Sequence, residues 1–524
     1  MNGIKINRRA VLAAGLSTAA LAAGAARART RVDSATVKCA AGRYMGRVED
    51  GIRVFRGIRY GRSQRFQAPV AVTPVNEALR ATEFGPSCFQ TAKSNAPASE
   101  DPLFLNIWSP ELAAGARKPV MVYFHGGAYS SGTAVDPLLD GRTLASAGDI
   151  VAVTVNHRIN AFGYLYLAPL FPQLADSGNA GQLDLLLALR WVRENIAAFG
   201  GDSQRITVFG QSGGGAKIAT LMGMPAATGL FHRAITMSGQ QVTASGPLNA
   251  TLRTRAFLAA LGIKDTDLSS LLATPAERLV EALQASDPII TGGVYFGPVL
   301  DMKWLVRHPF WPDANPLSQN IPLILGNTRD ETRAFIPPGS PKLADLSWDN
   351  LAERLAPELR VDVLPDWVIS QFRAHYPTWS PRDIFWAAST ASRSWRGQVI
   401  EAEARARADM PTWVYQVNFA SPTEPERGAP HTMDIALAFG TLQAPGSFTG
   451  TGDGARKASK AVMEAFVAFA TTGNPNASGH PSWPQYRLDK RSTMIFDVDS
   501  RVEDNPRQWE RELFARVPYT QPGT

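Results

Sequence analysis

The chain has 524 residues, 45% hydrophobic and 19% charged, a composition that supports a large buried core and excludes an intrinsically disordered chain. Its formal charge of +7 does not mark a nucleic-acid surface: Lys5, Arg8, Arg9 and Arg27 stand without any acid in the first 28 residues, and without them +3 remains. Two cysteines, Cys39 and Cys88, are too few for a disulfide framework and lack metal-binding spacing, so both are expected to be small buried hydrophobes.

In chain order, the first segment reads as an address. Paired Arg8 and Arg9 precede an Ala/Leu-rich run over residues 10–26, and Ala26-Arg27-Ala28 matches an A-x-A cleavage site. Residues 1–28 are therefore expected to be an export signal of twin-arginine type, removed on the way to the bacterial periplasm or the medium. The run falls short of the ~20 apolar residues that a bilayer span needs, and no later stretch supplies them. Residues 29–524 are expected to form one domain.

Glycines alternate with short β-prone runs over 37–61, which predicts edge hairpins. Residues 91–100 are polar and read as a loop. The runs 119–124 and 150–155 are apolar throughout, as strands buried on both faces are, which predicts a mostly parallel sheet covered by helices. Leu185, Leu189, Val192 and Ile196 recur at helical spacing within 183–199, and Gly200-Gly201 follows as a stop. Further strands are predicted at 206–209, 321–325 and 412–417, with mainly helical insertions near 243–288 and 347–404. Strands alternating with helices in this order define an α/β fold, here with helical cap insertions expected to line a pocket.

The strand at 206–209 runs into Gly210-Gln211-Ser212-Gly213-Gly214, and a helix can start near Ala216. Strand, G-x-S-x-G and helix together make a candidate nucleophile elbow, in which glycines flank a serine held on a turn too tight for neighbouring Cβ atoms. A serine hydroxyl needs a base, usually a histidine oriented by a carboxylate. After such an elbow the expected chain order is acid, then histidine.

Of seven histidines, His125, His157, His232 and His308 come too early. His375 lies in an aromatic helical segment and His480 in a turn near the end of the chain. His431 follows a strand on a loop and precedes a helix, which is where the base belongs. The loop after 321–325 offers two adjacent carboxylates, Asp330 and Glu331, and spacing does not choose between them. Backbone amides for an oxyanion are expected from Gly213 and from the loop His125-Gly126-Gly127-Ala128.

The segments FHGGAYSSG, GNAGQLDLLLALRWVRENIAAFGGD, VFGQSGGG, GNTRDE and GAPHTMDIALAFG occur in this order, and the chain from about residue 37 onward resembles the type B carboxylesterase and cholinesterase family of α/β-hydrolases. The resemblance implies the α/β-hydrolase fold and a serine carboxylic-ester hydrolase acting through an acyl-enzyme on a small-molecule ester. It implies a triad of Ser212, Glu331 and His431, oxyanion amides on Gly127, Ala128 and Gly213, and a supporting role for Ser238. It implies no cofactor, metal or nucleic-acid partner. The competing readings are a lactone or amide hydrolase on the same site and, less favoured, a non-catalytic neuroligin-like binding protein.

The departures are specific. Pro102 stands where the family commonly has a cysteine paired with the one matching Cys88. Gln211 and Gly213 replace the usual Glu and Ala of the elbow, and Ala128 replaces the third glycine of the oxyanion loop. No tryptophan lies in 91–100, which argues against a choline-ester specialist. The extra glycines at 213 and 215 are expected to give the Gly213 amide slack.

Overall fold

In the computed structural model, which describes residues 34–290 and 292–521, Val120, Val122 and Phe124 pack into one apolar core and Met121 and Tyr123 into another. One strand thus feeds two cores, as its unbroken apolar run requires. The sheet it belongs to is built from β1 (Ser34–Cys39), β2 (Gly42–Glu49), β3 (Ile52–Arg59), β4 (Phe104–Ser109), β5 (Lys118–Phe124), β6 (Val151–Val155), β7 (Gly201–Gln211), β8 (Arg233–Met237), β9 (Leu323–Thr328), β10 (Thr412–Val417), β11 (Ser492–Phe496) and β12 (Arg501–Asp504). Their order across the sheet is β1-β2-β3-β4-β6-β5-β7-β8-β9-β10-β11-β12, and Ala78–Arg80 adds a short strand beside β2. From β6 to β11 every neighbouring pair is parallel; antiparallel strands close both edges.

Parallel neighbours need crossovers, and helices supply them on both faces. The helix α1 (Ala180–Asn195) precedes β7 and buries Leu185, Leu189 and Val192 against one face; each such side chain contributes about 1.5–3 kcal/mol when fully buried. The helical run ends in a 3₁₀ turn, Ile196–Phe199, at Gly200, whose φ of +83° suits a residue without Cβ. Helix α2 (Gly213–Met222) leaves the end of β7, and α3 (Met433–Phe439) and α4 (Asp453–Thr472) cover the opposite face.

The insertions are helical as expected. Pro247–Ala260, Leu268–Ala273 and Ala276–Ala282 follow β8; Pro365–His375, Pro381–Thr390 and Arg396–Arg407 follow β9, the last two joined by a π-helical turn, Ala391–Trp395. Each insertion has its own apolar cluster, one around Phe257, Leu271 and Leu279 and one around Phe372, Phe385 and Trp395.

Two expectations change. β9 begins at Leu323 rather than 321 and continues to Thr328, because its polar end pairs with Gln416 and Val417 of β10. Cys88 is buried, but Cys39 is only half-buried on edge strand β1, and both thiols are free; burial pushes the Cys88 thiol up to about 12. Residues 35–524 form one compact unit, and the proposed signal at 1–28 lies outside the described residues. Among the described residues no helix is long and apolar enough to cross a membrane.

Candidate active site

The turn between β7 and α2 carries Ser212 at φ +55° and ψ −125°, a conformation that side-chain-bearing residues rarely adopt. Its N–H donates to the Met237 carbonyl at 2.7 Å, so pairing with β8 fixes the turn to the sheet. Gly214 meets a steric requirement: a Cβ there would lie 2.0 Å from the Phe124 carbonyl oxygen of β5. The same holds at Gly213, where a Cβ would lie 1.9 Å from the Ala128 carbonyl oxygen. The expected slack at Gly213 is therefore absent; that residue is wedged against the oxyanion loop.

The loops after β9 and β10 bring Glu331 and His431 together. Nδ1 of His431 bonds Oε2 of the fully buried Glu331. The other carboxylate oxygen accepts from Ser238 Oγ at 2.6 Å, Thr328 N at 2.8 Å and Asn327 Nδ2 at 3.1 Å. Burial by itself would raise the Glu331 carboxyl, but His431 beside it and the hydrogen bonds of Ser238 and Thr328 hold it below the ordinary range. Asp330, left open by spacing, turns away: its Oδ2 accepts from Ala429 N at 2.9 Å and so braces the loop that presents His431. The other late histidines lie elsewhere, His375 stacked on Trp509 at 4.2 Å and His480 bonded to Glu464 at 2.5 Å.

Ser212 and His431 line one cavity of about 320 Å³. No hydrogen bond joins Ser212 Oγ to His431 among the described residues; Nε2 of His431 instead faces the Gln211 side-chain amide at 3.1 Å. With Nδ1 protonated toward Glu331, Nε2 carries the lone pair, and the Gln211 N–H caps it.

Opposite Ser212, the amides of Gly127 and Ala128 donate to no group among the described residues, and that of Gly213 is the first, unsatisfied N–H of α2. Ala128 adopts φ +54°, so it keeps the glycine-like path of the loop at some cost in strain. Lys217, one turn beyond Gly213, is wholly buried under this loop. Its Nζ donates to the carbonyls of His125 at 3.1 Å and Ala128 at 3.0 Å and lies over the Tyr129 ring. Burial pulls its ammonium down to about 7.

Sequence reasoning missed three of these neighbours: the contact of Gln211 with His431, Lys217, and Asp434. Asp434 is buried near Glu331, accepts from the Tyr415 hydroxyl at 3.0 Å, and is pushed up to about 7 by burial and then by the charge of Glu331. Lys217 could have been flagged, as a lysine four residues after Gly213 in an otherwise small and apolar helix. The cavity lining matches expectation in part. Arg360, Arg393 and Ser394 of the second insertion line it, as do Tyr295, just past the first insertion, and Tyr519 of the C-terminal tail, whereas the three helices of the first insertion do not.

A central parallel sheet whose strand ends in a strained serine, with an acid and a histidine on later strand-end loops, defines an α/β-hydrolase. More narrowly, the chain belongs to the carboxylesterase family, whose model matches residues 33–514. It is 34% identical over 494 residues to para-nitrobenzyl esterase of Bacillus subtilis (strain 168), spanning 90% of this chain and 96% of that one. It is 30% identical over 487 residues to phenmedipham hydrolase of Pseudarthrobacter oxydans, spanning 87% and 93%. Among solved structures, a Geobacillus stearothermophilus carboxylesterase at pH 6.2 matches with a TM-score of 0.82 and 34% identity, over 91% of this chain and 99% of that one. The protein is an enzyme that hydrolyses carboxylic esters.

Proposed function

We propose that this ester hydrolysis runs through an acyl-enzyme on Ser212, with His431 as general base and acid and Glu331 as its orienting carboxylate. The observation that carries the reading is the His431–Glu331 pair, which leaves Nε2 as the basic nitrogen in the cavity that Ser212 also lines. Substrate entry displaces the Gln211 amide from Nε2. Ser212 Oγ then attacks the ester carbon as Nε2 takes its proton, and the Gly127, Ala128 and Gly213 amides hold the oxyanion. Collapse of the tetrahedral intermediate breaks the carbon–oxygen bond to the alcohol, which leaves with the proton from His431. Water, deprotonated by His431, attacks the acyl-serine; the carbon–Oγ bond breaks, Ser212 takes the proton back from His431, and the acid is released. Ser212→Ala is expected to lower kcat on p-nitrophenyl acetate by roughly 10⁴–10⁶, and a phosphonate ester should add its phosphonyl group to a Ser212 peptide by mass spectrometry. Near-wild-type turnover in Ser212→Ala would overturn the assignment.

The twin-arginine pattern at Arg8 and Arg9 supports export of the protein. Expressed in a bacterial host, it is expected in the periplasmic fraction or the medium with a new N-terminus after Ala28; full-length protein confined to the cytosol would refute this.

A further inference from the structure

Among the described residues, the cavity shared by Ser212 and His431 is lined by two arginines, Arg360 and Arg393, and by no aspartate or glutamate. The charges around it do not balance them. Glu358 lies 3.5 Å from Arg393 but bonds Lys342 more closely. Glu331, whose partner His431 is neutral, keeps its negative charge and is felt by Arg393, but with Lys342 drawing on Glu358 the three cations still outnumber these two carboxylates. Glu401, buried behind Gln241, is pushed up to about 8 by burial and contributes little negative charge at neutral pH. Arg360 forms no ion pair among the described residues, and its Nε is buried without a hydrogen-bond partner. Tyr129, Tyr295 and Tyr519, the phenols on the wall, are held in the neutral form by burial.

The placement of these cations is built into the fold. Arg393 sits in the π-helical turn Ala391–Trp395, a kind of irregularity that often re-aims side chains at functional sites. Its guanidinium stacks on Phe335 at 4.6 Å, and the Phe335 ring also lies 4.8 Å from the His431 ring. Arg393 is thus one aromatic ring away from the base. Arg360 is anchored where Val361 pairs with Tyr519 and where the Arg360 carbonyl accepts from Thr520 N at 2.8 Å. Two guanidiniums on the wall of one small cavity offer the paired N–H donors that a carboxylate takes.

We propose that the preferred substrates are esters that carry a carboxylate elsewhere in the molecule, bound by Arg360 and Arg393 while Ser212 attacks the ester carbon. The inference rests on the esterase reading of this cavity. At about 320 Å³ the space is at the small end of ligand pockets and fits a short acid ester rather than a long lipid chain.

The test uses two matched pairs near pH ~7.5, where carboxylates are ionised. Mono-p-nitrophenyl glutarate is compared with p-nitrophenyl pentanoate, and 4-acetoxybenzoate with phenyl acetate. The first pair puts the carboxylate on the acyl side and the second on the alcohol side, so the preferred pair reports which part of the ester faces the arginines. The carboxylate-bearing member of at least one pair is expected to show about tenfold higher kcat/KM, carried by KM and weakened by salt. In Arg360→Gln and Arg393→Gln that ratio should fall toward one, and Arg393→Lys should keep most of it. Equal or faster turnover of the neutral member in both pairs overturns the inference while leaving the esterase intact. A preference that survives loss of both arginines also overturns it. Failure to hydrolyse any of the four esters overturns the esterase reading, and the inference with it.

Discussion

Gln211 closes β7 and its amide faces the Nε2 lone pair of His431. A neutral amide there caps the ring nitrogen without charging it, whereas a glutamate would stabilise the imidazolium. In the proposed mechanism only the neutral imidazole takes the Ser212 proton, so Gln211→Glu is expected to move the acid limb of the kcat–pH profile upward by about one to three units. A limb that does not move would show that the 3.1 Å contact is not felt by the base. Lys217 makes a different prediction. Its folded pKa, pulled down to about 7 by burial from an ordinary 10.5, means that the unfolded chain binds the proton more tightly between those values. The penalty of burying its charge is in full force below pH 7 and fades as pH rises toward 10.5. Wild type should therefore gain stability on Lys217→Met between pH 7 and 10 in urea unfolding, whatever their gap at pH 7. A gap that stays constant would mean that Lys217 is not held neutral-prone.

Within single elements, the contact between α2 and the oxyanion loop is the tightest in the site. A methyl at Gly213 has no room beside the Ala128 carbonyl, so Gly213→Ala must push apart the two groups proposed to hold the oxyanion. Its kcat is expected to fall about 10²-fold with little change in KM; a rise in kcat would show that the loop yields. The sheet's central strands were legible because an apolar run buried on both faces leaves few other readings, as in β5 and β6. The helix before β7 was legible because Leu185, Leu189 and Val192 repeat at its period. Periodicity tells which face of a helix is buried, not what buries it, and so the first insertion was assigned to the cavity wall that Tyr295 and Tyr519 occupy instead.

For the whole molecule, the order elbow, acid, histidine could be read before any coordinate, since each lies on a loop after a strand. The choice between Asp330 and Glu331 could not be read from spacing, because neighbours in sequence point in opposite directions once β9 and β10 fix their loops. The burial of Asp434 was invisible for a related reason: burial of a polar group depends on packing between distant segments, whereas Lys217 at least left a trace as the one charge in an otherwise small and apolar helix.

The backbone of Ser212 carries one more consequence. At φ +55° and ψ −125° the serine occupies territory natural to glycine, and such residues cost about 1–3 kcal/mol. Ser212→Gly should thus be inactive yet unfold at a higher denaturant midpoint than the wild type, whereas Ser212→Ala, inactive too, keeps the strained Cβ. A Ser212→Gly midpoint at or below that of Ser212→Ala would refute this. If the midpoints rank as expected, the enzyme holds its working shape at the expense of its own durability, and the dead variant is the better starting point for crystals with uncleaved ester.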